Sequence, residues 1–331
     1  MEASIIIPAY NSKGTILHTI RALQNQDFRG KFEIIVVDDG SNDGTAQMAQ
    51  KEGAVVFVQK NAGPAKARNL GAKKSNGKIL LFTDSDCTPE KNWLREMLSS
   101  FSDKKVIGVQ GAYKTKQDSL VAKFVQAEIE ERYDKMKRNS QNLDWVGSYS
   151  AAYRRDDFFD AGGFDESFPK ASGEDPELSY KLAKMGKKLV FNPKAIVYHL
   201  HPETVTKYFW VKFYRAFYRI NLYSKHKDKI VNDSYTTNSI KVQLISGYVG
   251  IGVTLLTPVL YFLGYELLAI IIFAINTLLG LFALGTMFWS LRFTPKNELG
   301  FALFSFLMIQ VRNAAFMIGL PAGYIKHKVL K

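Results

Sequence analysis

The chain has 331 residues, 47% of them hydrophobic and 23% charged, which excludes a disordered polymer and suggests two domains. Its single cysteine, Cys87, excludes a disulfide framework and any metal site built on several thiolates, and fits a reducing compartment. The net charge of +13 is unevenly spread: 30 Lys/Arg against 26 Asp/Glu over residues 1–200, 7 against 3 over 201–240, and 7 against 2 over 241–331. The excess sits at the most apolar end, so a membrane surface accounts for it better than nucleic acid, and no nucleic-acid partner is expected. No basic stretch precedes the apolar residues 5–7, so no secretory signal is expected.

In chain order, β-branched or apolar runs at residues 4–7, 33–37, 54–58 and 78–82 alternate with helix-length segments near 15–26, 43–52 and 65–75. That alternation predicts βαβ units, a mostly parallel sheet and right-handed crossovers. The C-terminal ends of the strands then share one edge, where open α/β sheets bind ligands. Polar groups follow each strand: Pro8-Ala9-Tyr10-Asn11, then Asp38-Asp39-Gly40-Ser41, then a segment from Asn61 to Asn69 bearing Lys66 and Arg68, then Thr83-Asp84-Ser85-Asp86. No Gly-x-Gly-x-x-Gly follows the first strand and no Gly-Lys-Ser/Thr loop occurs, which argues against a dinucleotide fold and a P-loop NTPase. Asp84 and Asp86 at a strand end can hold a hard divalent cation that also takes phosphate oxygens. An isolated Asp-x-Asp also marks an ordinary turn.

In combination these segments resemble the nucleotide-sugar half of family-2 glycosyltransferases. The run from Gly147 to Arg155, Gly162-Gly163-Phe164-Asp165-Glu166 and Gly173-Glu174-Asp175 look like the acceptor half, so the resemblance covers about residues 3–200. It implies the GT-A fold, a nucleotide-diphospho-sugar donor, Mg²⁺ or Mn²⁺, and inversion at the anomeric carbon. Carried over residue by residue, it places Pro8, Tyr10 and Asp39 around base and ribose, Lys66 and Arg68 near the phosphates, Asp84 at the ribose or sugar, and Asp86 on the metal. Glu174, Arg154 and Tyr149 fall in the acceptor half, and Asp175 is the general base that takes the acceptor proton. Asp175-Pro176 also reads as a helix start with Asp at the N-cap and Pro at N1. His199, or His201, is a metal ligand or phosphate contact in this resemblance. The two lie at alternate positions after an apolar run and so share one strand face.

Two departures narrow the family. Processive synthases carry Gln-x-x-Arg-Trp after the base, whereas residues 213–219 here are Phe-Tyr-Arg-Ala-Phe-Tyr-Arg. Polyprenyl-phosphate sugar synthases continue the Asp-x-Asp with Leu-Gln-His-Pro, whereas Cys87-Thr88-Pro89-Glu90 follows here.

Beyond residue 205 the pattern changes. Basic and aromatic residues interleave from Lys207 to Arg219, as in a helix lying on anionic headgroups. Residues 242–263, with Pro258, and 267–289 are each long enough to cross a bilayer, and Gly264-Tyr265-Glu266 reads as the turn between them. Residues 300–324 are also apolar, but Gln310, Arg312 and Asn313 sit in their middle. If the N-terminal part is cytosolic, three spans put Lys326, Lys328 and Lys331 outside, against the positive-inside rule. Two spans with an interfacial third segment keep them inside, and the sequence leaves both open.

The expected organisation is an α/β GT-A domain over 1–205, with a Rossmann-like, mostly parallel sheet, a basic aromatic juxtamembrane segment over 206–240, two or three membrane helices over 241–325, and a basic tail over 326–331. The expected function is a multi-pass cell-membrane hexosyltransferase with its catalytic domain on the cytosolic side. It would transfer to a lipid-linked sugar. A polyprenyl (dolichyl) phosphate sugar synthase and a catalytically silent membrane scaffold are the alternatives.

Overall fold

The computed structural model describes residues 1–168, 173–230, 233–293 and 299–329. The chain divides into two compact units. One comprises Met1–Gln117, Tyr133–Leu200 and Leu222–Tyr235, the other Asp118–Arg132, His201–Asn221 and Thr236–Lys331.

Among the described residues the first unit holds eight strands: β1 (Ala3–Ala9), β2 (Phe32–Asp38), β3 (Val55–Val58), β4 (Ile79–Thr83), β5 (Cys87–Pro89), β6 (Val106–Lys114), β7 (Ser150–Arg154) and β8 (Lys188–His199). They form one sheet in the order β3-β2-β1-β4-β7-β6-β8-β5. Helices α1 (Ile16–Gln24), α2 (Thr45–Lys51) and α3 (Pro64–Lys74) connect the first four strands, which are parallel to one another, and α6 (Arg155–Asp160) follows β7. Beyond β4 the sheet is mixed: β7 runs antiparallel to β4 and β6, β5 antiparallel to β8, and β6 parallel to β8. The sheet is therefore Rossmann-like and more parallel than antiparallel, as expected: its βαβ half is wholly parallel, and the antiparallel pairs lie beyond β4, where a neighbour needs no crossover helix.

β1 is buried nearly throughout, as a central strand covered on both faces must be. On one face Ile5 and Ile7 join Ile16, Ile20 and Leu23 of α1, Leu81 of β4 and Trp93 of α4 (Trp93–Ser99). Each such side chain contributes about 1.5–3 kcal/mol by leaving water. Gly71 lets α3 approach β1, since a Cβ there would lie 3.2 Å from Val37 and closer still to Ile6.

The second unit contains α9 (Asn238–Phe262), α10 (Glu266–Leu291) and α11 (Leu299–Tyr324). It also holds the first part of α5 (Leu120–Arg138) and most of α8 (Val205–Lys225). Among the described residues, three helices, Asn238–Phe262, Glu266–Leu291 and Leu299–His327, are long and apolar enough to cross a membrane. The first two match the expected spans, and Gly264 turns between them at φ 82°. Leu255 is 70% exposed and Phe262 86%, an arrangement that suits hydrocarbon rather than water. Of the expected basic tail, Lys331 lies outside the described residues.

The polar residues of the third apolar stretch have partners. Arg312, 1% exposed, puts NH1 3.0 Å from Glu128 Oε1 of α5, and Lys212 Nζ of α8 lies 2.7 Å from Glu128 Oε2. Gln243 Oε1 of α9 accepts from Arg312 NH2 at 2.5 Å and from Asn313 Nδ2 at 3.3 Å. Burial alone would raise the Glu128 carboxyl, but Lys212 and Arg312 hold it down to about 2. Removing the carboxylate strands two buried cations. Glu128→Ala should therefore lose about 3–5 kcal/mol of stability, read as a lower unfolding midpoint of the full chain in detergent, whereas Lys123→Ala on the exposed side of α5 should unfold like the wild type.

Candidate active site

The polar segments expected along one edge do meet there. Asp39 N donates to Ala9 O at 2.8 Å and Gln59 N to Asp38 O at 2.9 Å, so the ends of β1, β2 and β3 are tied together. The Asp39 carboxylate is buried and accepts from Gln59 Nε2 at 2.7 Å, Ala62 N at 2.8 Å and Gly63 N at 2.9 Å. It thereby sets the loop that opens α3, where Gly63 takes φ 93°. Asp38 is spent on Ser41, accepting from its backbone N at 3.2 Å and from its hydroxyl. Pro8 is half-buried at the end of β1, and Tyr10 projects beyond it, 53% exposed.

Lys66 and Arg68 part company. Lys66 is exposed in the first turn of α3, while Arg68 is 2% exposed and bound by two carboxylates. Its NH2 lies 2.8 Å from Asp84 Oδ1 and its NH1 2.9 Å from Glu174 Oε1. Burial would lower the guanidinium pKa, but Asp84 and then Glu174 outweigh it and hold it above its ordinary value. Arg68 thus joins α3, the turn after β4 and the first residue of α7 (Glu174–Lys184). Its neighbour Asn69 makes a second link, donating to Phe164 O at 2.8 Å and accepting from Phe164 N at 3.0 Å.

Asp175 stands beside this clamp. The helix N-cap is Gly173, with no side-chain cap bond, so Asp175 lies one residue inside α7 and does not cap it. This corrects the N-cap reading. The carboxyl is half-buried and accepts from Ser148 N at 3.3 Å. Burial, reinforced by Glu174 and opposed by Arg68, raises it to about 7. Ser148 precedes β7, whose Ser150 pairs with Thr83 at the end of β4, which sets Asp175 next to the Asp84 turn.

On the other side of that turn, the antiparallel pairing of Cys87 with His199 brings β8 alongside β5. His199 Nε2 lies 3.3 Å from Asp86 Oδ2, with side-chain exposures of 22% and 39%. Asp86, Cys87 and His199 have potential ligand atoms within 4.8 Å of one another. One carboxylate and one imidazole facing each other at a half-open edge suit a divalent cation such as Mn²⁺. The Cys87 thiol is buried, and burial, with Asp84 and Asp86 behind it, pushes its pKa well up; as a soft donor it suits Mg²⁺ or Mn²⁺ less well than the carboxylate and imidazole beside it. β8 ends at His199, and His201, which belongs to the second unit, is buried there with Nε2 3.2 Å from Gln126 Oε1. Of the two histidines, His199 is the one beside Asp86.

Tyr149 lies at this edge, its ring stacked on Tyr113 at 3.4 Å and its hydroxyl 3.1 Å from that of Tyr133. Tyr113 also lies 4.7 Å from the His199 ring. It was not anticipated from the sequence, although the apolar run over 106–113 that carries it reads as a strand. Arg154 does not belong here. β7 runs antiparallel to β4, so Arg154 pairs with Ile79 at the opposite end, where its Nε donates to Val106 O at 2.9 Å.

Comparison with known proteins agrees with this geometry. Residues 4–160 match the family described as Glycosyl transferase family 2. The chain is 29% identical to the glycosyltransferase AglE of Haloferax volcanii over 210 residues, 59% of this chain and 66% of that protein. It is 30% identical to the probable glycosyltransferase YdaM of Bacillus subtilis over 221 residues, 61% of this chain and 51% of that protein. It therefore spans less than two thirds of the length of these relatives. The mannosyltransferase PcManGT from Pyrobaculum calidifontis, solved with GDP-Man and Mn²⁺, superposes with a TM-score of 0.58 at 19% identity, over 98% of this chain and 86% of that one, a likeness of fold. Over residues 4–160 the βαβ half, the acidic edge and the family match agree on a glycosyltransferase family 2 domain; the chain as a whole has a GT-A-like fold, followed by C-terminal helices apolar enough to span a membrane.

Proposed function

We propose that the chain is an inverting, divalent-metal-dependent glycosyltransferase of the hexosyltransferase type. It takes a sugar from a nucleotide-diphospho-sugar and joins it to a hydroxyl of a lipid-linked oligosaccharide or glycolipid at the cytosolic face of the cell membrane. One observation carries the reading: the half-buried Asp175 carboxyl, raised to about 7, beside the Asp84–Asp86 turn. A carboxylate of that basicity accepts a proton efficiently at neutral pH. Held behind an acceptor hydroxyl, it takes the proton as the oxygen attacks the anomeric carbon from the face opposite the diphosphate, which inverts that centre.

Asp86 and His199 would hold Mg²⁺ or Mn²⁺, whose chemistry is to neutralise a departing diphosphate. Lys66, exposed at the start of α3, supplies a further cation for phosphate oxygens. Tyr10 and Pro8 flank the base and ribose, and Asp39 supports them by holding the loop of residues 59–63. Asp84 faces the ribose or sugar. Arg68 is a positioning residue that fixes Asp84 and Glu174, and Tyr149 and Glu174 shape the acceptor side. PcManGT, solved with GDP-Man and Mn²⁺, supports the donor and metal classes. The exposed apolar faces of α9 and α10 support a bilayer anchor and hence an acceptor presented on lipid.

Membranes carrying the protein, incubated with labelled UDP- and GDP-sugars and Mg²⁺ or Mn²⁺, should place label in organic-extractable lipid. The Asp86→Ala variant should not. Donor consumption without labelled lipid would refute the lipid acceptor, and a lipid-phosphate monosaccharide as product would point to sugar-phospholipid synthesis instead. His199→Ala should weaken Mn²⁺ binding at least about 10-fold, measured by titration of the metal alone.

Asp175→Asn should retain nucleotide binding while kcat falls by about 10²–10⁴-fold, the usual contribution of a general base. The kcat/KM of the wild type should rise with pH as Asp175 loses its proton near 7 and be lost as pH falls through that value. In Arg68→Met the limb should move to higher pH, because the cation that opposes the upward shift is gone. A limb that stays in place would remove Asp175 from the role of base.

A further inference from the structure

We infer that α11 is not a third membrane span but lies in the plane of the bilayer surface, across the open end of the α9–α10 hairpin, with its outer apolar stripe on lipid. The inference rests on the membrane-anchored reading and adds a topology to it.

The contacts of α11 set its level. Phe306 packs on Phe288 with ring centroids 6.3 Å apart, and Gln310 Nε2 lies 3.2 Å from Met287 Sδ. Arg312 reaches Gln243, Phe316 packs with Ile240 and Leu244, and Tyr248 Oη donates to Met317 O at 3.0 Å. These partners all lie near the start of α9 or the end of α10. That end of the hairpin is itself held by Glu131 of α5, whose Oε1 accepts from Ser239 Oγ at 2.5 Å and from Ser290 Oγ at 3.2 Å. α5 carries Lys123, Glu128, Glu130, Glu131 and Arg132 in close succession, too polar a helix for the bilayer centre. Arg312, midway along α11, is paired with Glu128 of that helix, so the middle of α11 sits where α5 sits, outside the hydrocarbon.

Burial agrees. α11 is buried at intervals from Phe301 to Gly323, but the deep part of the hairpin is not what covers it. Among the described residues α9 is buried only at Ser239, Ile240 and Gln243, and α10 only at Ala269, Ala283 and Met287. A third helix running alongside would cover one flank of both down their length. The C-terminal half of α11 packs on α8 instead. A Cβ on Gly319 would lie 2.6 Å from Phe213 O, and one on Gly323 would fall on Phe217 O, so the two backbones touch where a small-xxx-small pair permits it.

The surface this leaves has the chemistry of an interfacial helix pair. Leu299, Leu303, Leu307 and Ile318 are exposed along one side of α11, and Ile325 is exposed just beyond its end. Lys207, Trp210, Tyr214 and Arg215 are exposed on α8, the aromatic and basic types that favour the headgroup level of anionic leaflets. With two crossings, Lys241, Arg292 and Lys326 all fall on one side, as the positive-inside rule asks.

The test places single spin labels at Leu303→Cys, Ile318→Cys and, as a deep reference, Leu255→Cys. Full-length protein is reconstituted in vesicles of phosphatidylcholine and phosphatidylglycerol, and Cys87, wholly buried, is checked as an unlabelled background. Depth is read from oxygen and nickel-chelate relaxation, and terminal tags are probed by protease from outside. Labels 303 and 318 at one shallow depth, with both tags on the same face, are expected. Depths differing by about 22 Å, the rise of the intervening helix, or tags on opposite faces, would overturn the inference while leaving the membrane anchor intact. A Leu255 label in water would overturn the anchor itself, and the inference with it.

Discussion

A guanidinium cannot be stripped of water without partners, and the first unit is arranged around one that has been. Burying Arg68 costs several kcal/mol unless opposite charge with good geometry replaces the lost hydration. Asp84 and Glu174 supply it from two directions, at 2.8 and 2.9 Å. The planar fork of arginine can meet two separate carboxylates at once, which a lysine ammonium does less well. Because the three residues sit on α3, on the turn after β4 and at the start of α7, none of those elements can move away without leaving a buried charge uncompensated. Asp84 is thereby fixed, and Asp86 lies two residues beyond it. Glu174 is fixed too, and Asp175 is its neighbour. The two carboxylates with proposed chemical roles are each placed by a fixed residue one or two positions away in the chain.

The same clamp sets the character of Asp175. A carboxyl half out of water beside another carboxylate is driven toward its neutral form, and Arg68 limits how far. On the opposite flank of the turn, Asp86 and His199 stay partly open to solvent. One sheet edge therefore offers two environments a few residues apart. One is dry enough to keep a proton acceptor basic, and the other is open enough to admit a hydrated cation with the phosphates it accompanies. Asn69 reinforces the division by holding the Phe164 backbone through both its amide groups.

The four parallel strands, their helices and the acidic turn at the end of β4 were legible because each is a local pattern, alternation of apolar runs with helix-length segments and polar residues at strand ends. What was not legible depends on register between distant segments. The period of a strand puts His199 and His201 on one face, yet only the end of β8 at His199 decides which of them meets Asp86. Arg154 has the composition of a site residue, but an antiparallel β7 carries it to the far end of β4. Asp175-Pro176 has the sequence of a helix cap, and Gly173, able to take φ 157°, occupies that position instead. Arg68 shows the converse. Its place at a helix start is right, but its long side chain turns inward to a carboxylate more than a hundred positions away in the chain, and no local spacing announces that.

The second unit repeats the logic with a different consequence. Apolar helices in hydrocarbon have little to fix their depth, since sliding one past another exchanges one hydrocarbon contact for another. An ion pair does fix it. Arg312 bound to Glu128, with Lys212 on the other carboxylate oxygen, ties an otherwise apolar helix to two charged ones. Drawing α11 inward would take Glu128 with it or break the pair, and either leaves charge in a medium that cannot solvate it. Length and hydropathy alone make α11 resemble its neighbours α9 and α10. What separates them is where their polar side chains find partners: Gln243 and Thr286 pair with each other at 3.1 Å inside the hairpin, whereas Arg312 reaches out to a helix too charged to enter the membrane.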